Sequence, residues 1–315
     1  MNISDLVTHY VAFRRMLGER CNTPEEILRT FCRVVGPQLE VRRIRLRAVA
    51  AFLAGAGPIT GSWHIRHTAL KGLFRFAVSR GHLKKAPLPT KVPKRPPIAM
   101  PYIYSREELR RLLDAIPSCQ HFPFHIEPHT LRAMLLLFYG AGLRRSEVLK
   151  LSISDVDLSN RLLHIRESKF FKSRWVPIGS HLVKVLTDYA RWRTANHPPT
   201  GDASPFFVGR RGAAIDHRTL NRAFKRLREY VGIRRTDGSH HQPRLHDLRH
   251  TFAVHRLTEW YREGADVQRL VYHLSVYLGH VRLPHTQVYL TMTPELLQQA
   301  GKVFERYARK ESNRA

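Results

Sequence analysis

The chain has 315 residues, and its 53 Lys+Arg against 25 Asp+Glu leave a net charge of +28. A length of this order suits about two domains with ample core, and a cationic surplus this large points to a polyanionic partner, nucleic acid above all. The apolar run AMLLLFYGAGL is too short to span a bilayer, and MNISDLVTHY lacks the basic-then-apolar layout of a signal peptide, so neither a membrane protein nor a secreted one is expected. Cys21, Cys32 and Cys119 are odd in number and scattered, which fits reduced thiols in a cytoplasmic protein.

Residues 1–85 read as all-helical. DLVTHYVAFRRML, PEEILRTFCRVV, RIRLRAVAAFLAG and SWHIRHTALKGLFRFAVSRG each carry apolar residues at helical spacing. In the last of these, Leu70, Leu73, Phe74 and Ala77 form one stripe. His64, His67, Lys71 and Arg75 fall largely on another, a face suited to phosphates or simply to solvent. Residues 86–104 hold six prolines and three basic residues and read as a linker.

A second domain is expected over 105–293, with 294–315 as a C-terminal helix and tail. Ser105 and Glu108 have capping-box spacing at the head of EELRRLLDAI. LRAMLLLFY is a strongly apolar helix ending at Gly140-Ala141-Gly142, and RRSEVLKL starts a short one near Arg144. RLLHIR and RWVPIG are strand-like runs that predict a hairpin with a basic tip, ESKFFKS. SHLVKVLTDYARWR and HRTLNRAFKRLREYVG are helices. The second has a core stripe of Leu220, Phe224, Leu227 and Val231 and a basic one of Arg218, Arg222, Lys225 and Arg226. VQRLVYHLSVYLG, the short PHTQVYL and PELLQQAGKVFERYARK complete the chain.

The stretch PRLHDLRH, residues 243–250, concentrates two imidazoles, two guanidiniums and a carboxylate before the apolar-periodic TFAVHRLTEW. A helix opening near His246 would put His246 and Arg249 on one face. Three readings fit these residues taken alone. They are a helix start with solvated charges, a metal site built on the i,i+4 pair His246 and His250, and a site for phosphate chemistry. A metal site is disfavoured because no Glu stands between the histidines as in H-E-x-x-H and no Cys lies near.

The rest of the chain decides. GLRRSE with Arg144, the hairpin lysine Lys169, HDLRH with His246 and Arg249, LGH with His280, and then Tyr289 occur in that order. The ordered set resembles the tyrosine recombinases of the phage-integrase and Xer type, by motif from about residue 105 onward and by size and helicity over 1–85. The resemblance implies a mainly α protein with a small antiparallel β-hairpin or sheet. It implies a helical core-binding domain joined to a catalytic domain as a DNA clamp. By that likeness Arg144 and Arg249 hold the non-bridging phosphate oxygens, His246 is the base, His280 donates to the phosphate, and Tyr289 is the nucleophile. Lys169, with Lys172 as the alternative, protonates the leaving 5′ oxygen. The chemistry suits these side chains: paired guanidinium donors match a phosphate gaining charge, and a phenol of reference pKa near 10 needs a base or a positive field.

The expected product is a 3′-phosphotyrosyl link that conserves the phosphodiester's energy, with no cofactor, metal or ATP required. Double-stranded DNA is the expected partner, contacted by Lys71, Arg75, Arg218, Arg222, Lys225 and Arg226. A homo-tetramer on paired sites, a dimer per site, is implied, with other recombinases or accessory proteins as further partners. Leu296, Leu297, Ala300, Val303 and Phe304 would form the apolar face of a C-terminal helix exchanged between protomers. A mobile-element enzyme acting at the nucleoid is the expected setting. Type IB topoisomerase activity and an inactive DNA-binding accessory role are the rival classes.

Overall fold

The computed structural model describes residues 1–19, 21–55, 59–96, 100–118, 126–166, 173–239, 241–292 and 294–312. The chain separates into two compact units, Met1–Ile98 and Ala99–Ala315, so the division falls inside the proline-rich stretch.

Among its described residues the first unit has four α-helices around one core: α1 (Ile3–Met16), α2 (Asn22–Val35), α3 (Leu46–Ala54) and α4 (Gly61–Ser79). Asn2 caps α1 by accepting the Asp5 N–H at 2.8 Å. Along α4, Leu70, Leu73, Phe74 and Ala77 recur at i, i+3, i+4 and i+7, and all four are fully buried with Leu28, Phe31 and Leu53. Lys71 and Arg75 are exposed, as that phase requires. His64 departs from the basic face expected of it. It is buried, its ring meeting Trp63 edge-on at 5.0 Å.

The second unit begins with α5 (Arg106–Ala115), headed by a complete capping box: the Ser105 hydroxyl accepts the Glu108 N–H at 3.0 Å and the Glu108 carboxylate accepts the Ser105 N–H at 2.8 Å. Helix α6 (Pro128–Gly140) is buried on most sides, with Leu131, Met134, Leu135, Leu137 and Phe138 at its core, which accounts for its nearly continuous apolar sequence. After α7 (Arg145–Lys150) comes a three-stranded antiparallel sheet in the order β1 (Val156–Asp157), β2 (Leu162–Ile165), β3 (Arg174–Pro177). In the β2–β3 register, Leu163 pairs with Val176 inside and His164 with Trp175 outside. The alternation of RLLHIR and RWVPIG foretold this pair. Strand β1 is two residues long, too short for alternation to reveal.

Helices α8 (Ser180–Asn196), α9 (His217–Tyr230), α10 (Asp247–Arg262), α11 (Val267–Leu278), the short α12 (Pro284–Gln287) and α13 (Pro294–Ser312) follow. A 3-10 turn, Val288–Thr291, joins α12 to the approach of α13 and carries Tyr289. A separate apolar cluster unites Phe252, Val254 and Leu257 of α10 with Val271, Leu274 and Leu278 of α11, and with Tyr289 and Leu296. Helix α13 thus docks by its first turn onto its own chain, while Leu297 and Phe304 remain exposed. Among the described residues no helix is long and apolar enough to cross a membrane.

Candidate active site

Two glycines set the site's floor. The turn after α6 needs Gly142 at φ 58°, where a Cβ would lie 2.5 Å from the Phe252 ring and 2.9 Å from Leu278. Helix α11 ends on Gly279 in the left-handed conformation, and a Cβ there would lie 2.9 Å from the Arg174 guanidinium. Both positions therefore exclude a side chain, and each turn delivers a backbone carbonyl to an arginine. Arg249, on the first turn of α10, is 2 % exposed; it donates from Nη1 to the Gly142 carbonyl at 2.6 Å and from Nη2 to the Leu278 carbonyl at 2.7 Å. Arg144 donates from Nη2 to the Gly279 carbonyl at 2.7 Å.

Glu147 binds the cations together. Its carboxylate accepts the Arg144 backbone N–H and the Arg144 Nη1, each at 2.8 Å, and both terminal nitrogens of Arg174, each at 3.0 Å. Arg174 also donates from Nε to the Tyr277 carbonyl at 3.0 Å, so β3 is fastened both to α7 and to the end of α11. Burial alone would raise the Glu147 carboxyl, but Arg174 foremost, then Arg144, brings it down to about 2. Arg249 moves the other way, to about 10, because burial and then the neighbouring Arg144 disfavour its charge; it stays cationic at neutral pH.

Above this floor stand the histidines and the phenol. The His250 Nδ1 lies 2.9 Å from the Tyr289 hydroxyl. The His246 ring meets the His250 ring edge-on at 4.8 Å, and the His280 ring centre is 6.2 Å from that of Tyr289. His280 is held in turn by Thr286 Oγ1 at 2.7 Å from its Nδ1. Burial first and neighbouring cations second depress these imidazoles, His246 and His250 to about 4 and His280 to about 3. Tyr289 is raised, since its burial outweighs the pull of Arg249 and Arg144. The arginine field therefore does not by itself free the phenolate.

The depressed imidazoles make stability fall with acid. Their folded values lie below the unfolded value near 6.5, so between the two the unfolded chain binds more protons. Their contribution is complete above about pH 6.5 and declines as pH drops toward the folded values of about 4 and 3. His246 opens to solvent, where water screens it, so His250 and His280 carry most of the effect. The thermal unfolding midpoint should drop between pH 7 and 4.5, and more shallowly in His280→Gln. A midpoint that ignores this range would contradict the burial of these rings as neutral species.

A cavity of about 530 Å³ opens beside the site, lined by Arg144, Arg145, Lys225, Arg228, Arg244 and His246 among others. Lys225 thus shares a hollow with two residues expected at the reacting phosphate. Arg218, Arg222 and Arg226 stand exposed on the same helix, α9. Of the six residues singled out for the reaction, the fold gathers Arg144, His246, Arg249, His280 and Tyr289; Lys169 and its alternative Lys172 fall outside the described residues. His250, Glu147 and Arg174 join the constellation unannounced. Glu147 had a sequence signal, its capping spacing three residues after Arg144. His250 had only its i,i+4 spacing from His246, which pointed to a metal site that the missing Glu and Cys disfavoured.

The chain matches the phage integrase family over residues 104–295. It is 34 % identical to the integrase/recombinase y4rB of Sinorhizobium fredii, over 95 % of this chain and 96 % of that one. It is 30 % identical to the tyrosine recombinase XerA of Thermococcus onnurineus, over 95 % and 94 % respectively. Its fold is similar to that of the Tn1549 transposon integrase solved in complex with transposon right-end DNA, with a TM-score of 0.68 at 16 % identity, over 98 % of this chain and 100 % of that one. The order of the motifs, the gathered arginines and histidines, and the full-length similarity agree: the chain belongs to the phage integrase family of tyrosine recombinases, enzymes that cleave and rejoin DNA.

Proposed function

We propose that this recombinase acts at specific duplex sites, attacking the scissile phosphate with Tyr289 to leave a 3′-phosphotyrosyl link and a free 5′ hydroxyl. The observation that carries the reading is the Tyr289 hydroxyl set among Arg249, His250 and His280, next to a basic hollow that contains Arg144 and His246. Arg144 and Arg249 neutralise the non-bridging oxygens as charge builds on them, and His280 adds a donor. Lys169, or Lys172, gives the proton that lets the 5′ oxygen leave. Duplex DNA is held largely by its phosphates, through Lys225 with Arg218, Arg222 and Arg226 on α9 and through Lys71 and Arg75 in the first unit. The exposed Leu297 and Phe304 on α13 favour assembly through that helix, into a dimer on each site and a tetramer across two. A mobile-element setting accords with the transposon integrase among the similar folds.

The test is a nicked suicide substrate carrying the repeats that flank the gene. The wild type should form a covalent protein–DNA adduct, and Tyr289→Phe should form none. A folded, DNA-binding wild-type protein that yields no adduct on its own site would remove the proposal.

A further inference from the structure

His250 is a titratable residue of this site to which the motif resemblance gives no role. The resemblance assigns the base to His246. Yet among the described residues the imidazole hydrogen-bonded to the Tyr289 hydroxyl is that of His250, 2.9 Å away through Nδ1. His246 instead opens onto the basic cavity with Arg144 and presents its ring edge-on to His250.

The direction of that hydrogen bond follows from the neighbours. Arg249 lies close enough that its positive charge favours loss of the phenol's proton. Tyr289 is held above its ordinary value and His250 below it, so at neutral pH a protonated phenol faces a neutral imidazole; the phenol is much the stronger acid of the two, and its O–H donates to Nδ1 of the Nε2–H tautomer. The groups facing His250 favour that form: His246, Arg244 and Arg249 from its own segment and the start of α10, and His280 beyond α11 all oppose its charge, and Asp247 acts the other way. The positive charge of Arg249 and an acceptor on the hydrogen both favour loss of that proton.

We infer that His250, rather than His246, accepts the Tyr289 proton as the phenol oxygen attacks phosphorus. The Tyr289 O–P bond forms while the P–O5′ bond breaks. The phenol hydrogen passes to His250 Nδ1, and the departing 5′ oxygen takes a proton from the lysine general acid. Rejoining runs the same path backwards, with the His250 proton returned to the tyrosine oxygen. His246 is thereby freed to donate to the phosphate from the cavity side. The inference rests on Tyr289 as nucleophile.

The experiment measures single-turnover adduct formation on the nicked substrate from pH 5 to 9, for wild type, Tyr289→Phe, His246→Asn, His250→Asn and His250→Ala. Asparagine keeps a hydrogen-bond acceptor for the phenol but cannot take its proton. Loss of a general base typically slows the step about 10²–10⁴-fold. His250→Asn should show a loss in this range while still binding DNA, and its rate should climb with hydroxide where the wild type has levelled off. Added imidazole should restore His250→Ala in proportion to the neutral form, and should not restore His246→Asn. A His250→Asn rate that parallels the wild type across the pH range overturns the assignment, as does imidazole rescue confined to a His246 variant. Those results leave the function intact; an adduct persisting in Tyr289→Phe, or absent from the wild type, removes the function and this inference with it.

Discussion

Arg249→Ala should cost both the reaction and the fold. In the reaction it deletes a preorganised cation from beside the Tyr289 oxygen and the expected position of the phosphate. Removing one such buried donor typically lowers the rate about 10²–10³-fold. In the fold it strips the donors from the Gly142 and Leu278 carbonyls, which face Arg249 at 2.6 and 2.7 Å. Leaving a buried carbonyl unpaired costs about 1–3 kcal/mol each. These carbonyls belong to the turn before Arg144 and the turn before His280, so the damage spreads to both neighbours. Arg249→Lys separates the two effects. Lysine keeps the charge, but a single ammonium cannot span both carbonyls and also serve the phenol and the phosphate. Thermal unfolding should therefore recover in part while adduct formation stays depressed. Full recovery of the rate in Arg249→Lys would show that charge alone matters there and that the forked geometry does not.

How much of this was legible beforehand depends on what kind of signal each feature leaves. Helices were readable because burial imposes a period: Leu70, Leu73, Phe74 and Ala77 could lie on one face in only one way. The chemistry was readable because motif order survives in the chain although the residues meet only in space. Arg144 and Gly279 are far apart in sequence, yet they share a hydrogen bond of 2.7 Å. The supporting residues were harder to see. Arg174 is a basic residue at the head of a strand, and nothing local tells that both its terminal nitrogens reach Glu147. His250 follows Arg249 directly, and on a helix adjacent residues point about 100° apart. Its meeting with Tyr289 depends on where the turn after α12 lays that residue, a tertiary fact. The positive field of the arginines does not by itself ready the phenol, for a physical reason: that field and the loss of water act in opposite directions, and the loss of water is larger.

Glu147→Gln should be the most destabilising single change at the site's periphery. The carboxylate is buried and serves two guanidiniums, Arg174 through both its oxygens and Arg144 through side chain and backbone. Glutamine has nearly the same shape, but its amide nitrogen presents hydrogens where an acceptor is needed, and the negative charge is gone. Breaking a buried ion pair from one side typically costs about 3–5 kcal/mol. The pH dependence identifies the cause. Glu147 titrates at about 2 in the folded chain against an ordinary 4.5, so its contribution is present above about pH 4.5 and is lost as pH falls toward 2. The gap between wild type and Glu147→Gln should therefore be wide at pH 7 and shrink steadily below pH 4.5. DNA should narrow it too, because a phosphate brings to Arg144 part of the negative charge the variant lacks, and a ligand that binds the folded state more tightly stabilises it more. Unfolding midpoints for the two proteins, with and without duplex site, measure both effects. A gap that holds constant from pH 7 to 3 would mean that the loss arises from packing, and that the arginines at this site do not depend on Glu147 for their charge balance.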